Sequence, residues 1–253
     1  MAVDAAEVAL RRSQMGRSVR SFFVAGPRPS NDQGDGYWIF LSGASSPDAN
    51  MALVDSADAA VLASALDYVE AASVPAIFML AGDARSEVLR EGWQHVGSMP
   101  FMELALEGAQ LGRDARVRQA GASDFDAVSG LLADAYGMDR EIAAVIAVLV
   151  RVDLDDAWIW VLEDAGETVS TVLTSRIDDS VCVWCMATPE RFGRRGFGRA
   201  LLGDVLARAR DDGATIGLLG ATPAGKPLYE ATGWRTIEEW ELFLNADSVQ
   251  FEH

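Results

Sequence analysis

The sequence predicts an α/β fold, and three observations carry that reading. From about Ala115 onward, short apolar runs alternate with stretches whose apolar residues recur at helical spacing. One junction, from Thr188 to Leu202, interleaves Gly193, Gly196 and Gly198 with Arg194, Arg195 and Arg199 between an apolar run and a helical stripe. The first half also echoes the end of the second. Ile77-Phe-Met-Leu80 matches Ile216-Gly-Leu-Leu219, Gly92-Trp93 matches Gly233-Trp234, and each pair runs into a final strand, Phe101 to Leu106 or Glu239 to Leu244. Repetition of this kind points to two similar halves. The Gly- and polar-rich stretch from Gly108 to Arg113 is the expected linker, dividing the chain into 1–112 and 113–253.

Element by element, the second half opens with a short strand, Ala115 to Gln119. Ser123 starts a helix with Asp126 in an imperfect capping box, and Phe125, Val128, Leu131, Leu132 and Ala135 mark its inner face. Ile142, Val145, Ile146 and Leu149 stripe a second helix. Strands at Trp158 to Glu163 and Thr168 to Arg176 join across Asp164-Ala-Gly-Glu167, a hairpin signal. Val181 to Ala187 is the strand before the Gly/Arg turn. Leu201, Leu202, Val205, Leu206 and Ala209 then stripe a helix ending at Gly213. A strand at Thr215 to Leu219, a short helix at Lys226 to Ala231 and the last strand complete the chain.

Composition bounds the function. At 253 residues with 50% hydrophobic and 23% charged residues, the chain is long enough for one large domain or two small ones. No apolar run reaches the roughly 20 residues that span a bilayer. Acids at the N-terminus argue against an export signal, so a cytoplasmic protein is expected. A net charge of −17, with Lys226 the only lysine, disfavours nucleic acid and acidic membranes and attracts cations such as amines. Cys182 and Cys185 form C-x-x-C within a strand. Residues three apart on a strand face opposite ways, so two buried thiols are expected rather than a metal or disulfide pair.

The Gly/Arg turn carries the chemistry. Glycines allow close backbone approach, the helix dipole presents its positive end, and arginines add charge, which together suit a phosphate-bearing ligand. The same offset of 139 residues sets Asp55-Ser-Ala-Asp-Ala59 against Arg194 to Gly198. The first copy thus has two acids, no glycine and no arginine at the matching place, and reads as degenerate.

Strand, Gly/Arg turn, helix, strand and then Pro227-Leu-Tyr229-Glu-Ala-Thr-Gly-Trp234 resemble the GNAT superfamily of N-acetyltransferases, whose signature is Q/R-x-x-G-x-G/A followed by a Tyr-Glu-x-x-Gly-aromatic segment. Gly193 stands where the family has Gln or Arg, and Thr222 where it often has Asn. The resemblance covers residues 115–244 well and the first half weakly. It implies a mixed central sheet flanked by helices in two GNAT-like halves, and acetyl-CoA as co-substrate with no metal. By the resemblance, main-chain groups of Met186, Ala187 and Thr188 would pair with the pantetheine arm and polarise the thioester. The loop Arg194, Arg195, Gly196, Phe197, Gly198 and Arg199 would hold the diphosphate, with Thr222 nearby. Tyr229 would protonate the departing thiolate, the alternative being a ring that only packs. Lys226 is either a phosphate contact or a solvated side chain.

The implied reaction is direct acetyl transfer to a primary amine of a small molecule or peptide in a ternary complex. The general base stays open among Glu190, Glu141, Asp139, Glu163, Glu238 and solvent; His95 and His253 are poorly placed. Trp158 and Trp160 line either the acceptor pocket or the core, and Trp184, Trp234 and Trp240 also sit in or beside strands. Two other classes remain: a non-catalytic acyl-CoA-binding regulatory module, and an interaction scaffold. A homodimer is compatible with all of them.

Overall fold

The computed structural model describes residues 4–19, 26–84 and 90–245. Its elements run α1 Ala5–Val19, β1 Ser30–Gly34, β2 Tyr37–Leu41, β3 Asn50–Val54, α2 Ala59–Ala72, β4 Ile77–Leu80 and β5 Gln94–Ala105 in the first half. They continue with β6 Val117–Gln119, α3 Phe125–Tyr136, α4 Arg140–Ala147, β7 Ala157–Asp164, β8 Glu167–Ile177, β9 Ser180–Ala187, α5 Phe197–Asp211, β10 Ile216–Gly220, α6 Lys226–Glu230 and β11 Arg235–Leu244. The fold is the expected mixed α/β sheet flanked by helices.

Among the described residues, eleven strands form one sheet in the order β1-β2-β3-β4-β11-β5-β10-β9-β8-β7-β6. Each half contains a parallel strand–helix–strand unit, β3–α2–β4 and β9–α5–β10. The final strands are exchanged. β5, which ends the first half, pairs antiparallel with β10, and β11, which ends the second, pairs antiparallel with β4. β5 and β11 pair with each other in the centre, from Arg235↔Glu103 to Leu244↔Gln94. The two halves therefore share one continuous hydrogen-bond ladder.

Helices cover both faces. On one, Met15 and Val19 of α1, Val128 and Leu132 of α3, and Ala143 and Ile146 of α4 pack over a core that runs from Trp38 and Phe40 through Met79 and Trp240 to Leu218 and Cys182. On the other, α5 buries Leu201, Leu202, Val205 and Leu206, and α2 buries Leu62, Leu66 and Val69. α1 belongs to the first half but docks on the second. Gln14 Nε2 donates to Asp179 Oδ1 at 2.8 Å, Ser180 Oγ donates to Gln14 Oε1 at 2.9 Å, and Trp184 Nε1 donates to Ser18 Oγ at 3.0 Å. Buried polar groups on α1 thus find partners on β9 and the residue before it, which ties the helix to the second half.

Local differences from the sequence reading have local causes. A 3₁₀ turn at Ala122–Asp124 precedes α3, and the capping partners are Gly121 and Asp124, with Gly121 N donating to Asp124 Oδ2 at 2.8 Å. Ser123 and Asp126 do not serve. Ala133, rather than exposed Ala135, completes the inner face of α3. The hairpin turn is as expected: Ala165 and Gly166 both have positive φ, 52° and 82°, as a type I′ turn requires.

Cys182 and Cys185 are free thiols that depart from the expected alternation. The β8–β9 register jumps from Thr171↔Ala187 to Leu173↔Trp184, so β9 carries an extra residue, and Cys185 has φ 47°. This bulge resets the phase. Trp184 and Cys185 both pack against the core that contains Cys182, and Cys185 is half-buried rather than buried.

Candidate active site

The site grows out of the way β9 and β10 separate. They pair only from Ile216↔Ser180 to Leu218↔Cys182. Beyond that point β10 follows β5, with Gly220 opposite Phe101, while β9 follows β8 to Ala187. The strands diverge and leave main chain of β9 facing a wedge-shaped cleft. The bulge at Cys185–Met186 sits on its wall. There Tyr136 Oη, from the end of α3, donates to the Met186 carbonyl at 3.0 Å.

The Gly/Arg segment closes the wide end. A 3₁₀ turn at Glu190–Phe192 leads to Gly193; Arg194 (φ 56°) and Gly196 (φ 82°) are left-handed, and α5 begins at Phe197. Gly196 provides no side-chain cap, so the first-turn amides of α5 keep their donors available to a ligand. A Cβ at Gly198 would lie 3.1 Å from Met186 Cε and 3.2 Å from Thr188 Oγ1, which shows how closely the helix start approaches the strand end. Thr188 Oγ1 is held 2.7 Å from Ser170 Oγ.

The side chains of the loop divide. Arg194 is exposed and points away from the buried core. Arg195 pairs with Asp164 at 3.1 Å and lies 4.5 Å over the buried Phe197 ring. Arg199 donates to the Ala231 carbonyl at 2.7 Å, tying α5 to α6. Phe197 is an anchor, so only its amide faces the ligand side. Thr222 Oγ1 accepts from Gly225 N at 3.2 Å at the entry to α6, and Lys226 Nζ lies 4.0 Å from Glu230.

Tyr229 is buried on α6, edge-on to Trp234 with centroids 5.8 Å apart. Its hydroxyl approaches Met186 Sδ at 3.7 Å, a weak acceptor, and so is poised beside the bulge without a strong partner. Burial pushes this phenol up to about 12, with a smaller contribution from Cys185. Burial likewise pushes the Cys185 thiol to about 12, and Asp48 adds to it.

The candidate bases separate clearly. Glu163 pairs with Arg118, and Glu238 accepts from Arg12 at 2.5 Å and from Trp240 Nε1 at 2.8 Å, so both are structural. Arg191 pairs with Asp134 rather than with Glu190. His95 packs against Phe243 in the outer sheet, 5.0 Å between centroids, and His253 lies outside the described residues. Trp160 lies beneath α5, with Arg208 5.3 Å over its ring, and is a core residue.

One residue near the cleft escaped the sequence reading: Asp48, in the 3₁₀ turn Pro47–Ala49 of the first half. The turn packs on α4, where Ala44 and Ala49 join Ile142, Met138 and Val145. Nothing local marks it, because the contact spans about ninety residues.

At the matching place in the first half the strands stay paired. β3 and β4 stay paired from Met51↔Ile77 to Val54↔Leu80, and Ala81 N continues the ladder to Val54 O at 3.0 Å. Asp58 caps α2 by accepting from Ala60 N at 2.8 Å. Arg12 donates to Asp55 at 2.7 Å and to Glu238, and with Asp55, Ser56 and Asp58 lines a cavity of about 500 Å³. A separate cavity of about 840 Å³ lies between residues 107–114, α5 and the segment after α6, and Tyr229 does not line it.

A mixed sheet whose central parallel strands splay in front of a glycine-started helix defines the acyl-CoA N-acyltransferase fold. Residues 143–245 match the family model described as acetyltransferase (GNAT) domain. Among solved structures, it is similar to a GCN5-related N-acetyltransferase from Kribbella flavida (TM-score 0.67, 19% identity, 96% of each chain covered). It is also similar to a tandem GNAT protein from the clavulanic acid biosynthesis pathway (TM-score 0.56, 11% identity, 98% of each chain). A third is N-myristoyltransferase of Saccharomyces cerevisiae with bound myristoyl-CoA (TM-score 0.50, 11% identity, 73% of this chain and 54% of that one). At such identities the likeness is one of fold. A search of curated proteins returned no match. Among the described residues no helix is long and apolar enough to cross a membrane, and no group of three or more metal-ligating side chains occurs.

Proposed function

We propose that residues 113–253 bind acetyl-CoA and pass its acetyl group to a primary amine by direct attack in a ternary complex. Residues 1–112 are then a degenerate copy that completes the acceptor side. The observation that carries this reading is the contrast between the halves: β9 and β10 part at Cys182/Leu218 before an uncapped helix, while β3 and β4 stay zipped before a capped one. This contrast favours the second half as the place for a diphosphate and an extended arm.

Acetyl-CoA supplies an activated acyl carbon on a thiol leaving group. Met186, Ala187 and Thr188 offer main-chain groups along its arm, and the amides from Arg194 to Arg199 meet its diphosphate. Gly198 keeps helix and strand close enough for both. The amine nitrogen forms the new bond to the acyl carbon, the carbon–sulfur bond breaks, and the nitrogen loses its proton to solvent or a carboxylate. Tyr229 donates to the departing sulfur. Its phenol, near 12, is a weaker acid than a thiol of about 8.5, so it stays protonated and serves as a hydrogen-bond donor rather than losing its proton outright.

The charge of −17 favours a cationic acceptor, a small-molecule or peptide amine, and disfavours nucleic acid and membrane partners. A cytoplasmic setting and a homodimer fit this reading. A thermal-shift series with acetyl-CoA tests it, since ligand at 100 times its dissociation constant stabilises by about 2.7 kcal/mol. An amine screen reading free thiol follows. No stabilisation refutes the reading; stabilisation without transfer to any amine makes the protein an acyl-CoA-binding regulatory module.

A further inference from the structure

We propose that the Asp48 carboxylate, carried by the first half, forms the anionic subsite that receives the acceptor's ammonium group in the cleft beside Cys185. The inference rests on the reading of this cleft as an amine acetylation site. Its geometry comes from three elements that meet there.

The first is the 3₁₀ turn Pro47–Ala49. Pro47 and Ala49 are buried and Ala49 packs with Ile142 and Met138, so the turn is seated on the α3–α4 corner, and Asp48 between them is left exposed. The second is the end of α3. Tyr136 stands two residues before Met138, and its hydroxyl reaches across to the Met186 carbonyl. The third is the β9 bulge, where Cys185 adjoins Met186, whose sulfur faces the Tyr229 hydroxyl. Asp48, Tyr136, Cys185 and Tyr229 are thus carried by elements that pack together around Met186 and Met138.

Accessibility and desolvation agree with that placement. Tyr136 is 41% exposed and Asp48 is exposed, yet protein surrounds both closely enough to disfavour their charged forms. A group reached by solvent but enclosed on most sides lines a cleft. Asp48 also raises both Tyr136 and Cys185, as a neighbouring negative charge does. Its carboxylate accepts from Ser46 Oγ at 3.3 Å and from its own backbone amide, and forms none of the described ion pairs. Arg191 pairs with Asp134 instead. An ammonium drawn to Asp48 would stand in front of the bulge, where the acyl carbon is expected.

Cys185 provides a readout that needs no turnover. The chain has two cysteines, and Cys182 is fully buried, so thiol reagents added to the full-length protein report on Cys185. The probes are a cationic and an anionic methanethiosulfonate, trimethylammonioethyl and sulfonatoethyl, with the modified residue identified by mass spectrometry. The ratio of the two rates cancels any change in thiol acidity. The cationic reagent is expected to react at least fivefold faster with the native protein, the ratio to fall at least threefold in Asp48→Asn, and Asp48→Glu to restore it. Melting curves confirm that both variants are folded. A ratio unchanged in Asp48→Asn, or no labelling of Cys185 by either reagent, overturns the proposal.

A second arm ties the subsite to the reaction. Asp48→Asn should raise KM for phenethylamine, an ammonium at pH 7, at least tenfold, leave p-anisidine, neutral at that pH, within twofold, and leave acetyl-CoA affinity unchanged. Equal effects on both amines overturn the proposal. A charge-dependent labelling ratio with no acetyl transfer to any amine instead refutes the assigned reaction while the cation subsite stands.

Discussion

Replacing Tyr229 by Phe isolates one hydroxyl. The ring keeps its edge contact with Trp234 at 5.8 Å, and the hydroxyl gives up only a 3.7 Å approach to a thioether, so stability should fall by less than about 1 kcal/mol. If the hydroxyl donates to a sulfur that becomes anionic in the transition state, its removal forfeits a hydrogen bond to a charged group, about 1.5–3 kcal/mol. At 1.36 kcal/mol per decade this lowers kcat roughly 10- to 150-fold. The assay is thiol release at saturating amine, with acetyl-CoA affinity measured by calorimetry and expected within twofold of the native protein. Because burial holds the phenol near 12, its protonated form persists through the alkaline range, and Tyr229 should impose no fall in kcat between pH 7 and 10. Equal turnover of the two proteins removes the hydroxyl from the mechanism. A fall near pH 10 that disappears in Tyr229→Phe refutes the stated effect of burial.

Other expectations concern the frame that holds the cleft. A Cβ at Gly217 would sit 2.8 Å from Trp234 Cη2, so Gly217→Ala overpacks the α5 side by about 1–3 kcal/mol and should lower Tm by several degrees in a thermal melt. Arg12→Ala leaves Asp55 and Glu238, each mostly buried, without their shared cation. Unfolding by urea should show a loss of about 1–3 kcal/mol, and no loss would mean the pair is screened out. Acidification should also destabilise. Arg116 holds Asp114, and Arg118 holds Asp124, below the ordinary carboxyl value near 3.8. Their stabilisation is complete above that value and is lost as pH falls through the lower folded-state values. Asp48, raised by burial, acts oppositely and costs stability as pH climbs past its ordinary value. Melting curves between pH 2 and 7 should therefore fall on the acid side below about pH 4; a flat profile to pH 2 would refute the ion-pair account.

What was legible in the sequence was what short segments decide for themselves. Gly196 marks a tight turn into a helix because few other residues accept its left-handed backbone, and Gly198 marks a close approach of helix to strand. Alternation and helical striping locate β7 to β10 and α5 to within a few residues, because each element must bury one face. The acids at Asp55 and Asp58 announce a first half without the anion site, and the structure adds that its strands never part. Other features depend on partners far away in the chain. The exchange of β5 and β11 is invisible locally, since either strand could have closed its own half. The bulge at Cys185 reverses the expected facing of the two thiols, because one extra residue against β8 changes the phase of everything beyond it. Asp48 looked like any surface acid in a Pro-containing turn. Only the docking of that turn on α4 sets its charge beside Cys185 and Tyr136. Local backbone preference and burial wrote the phosphate loop, whereas long-range pairing and packing, which have no short-range signature, decided what faces it.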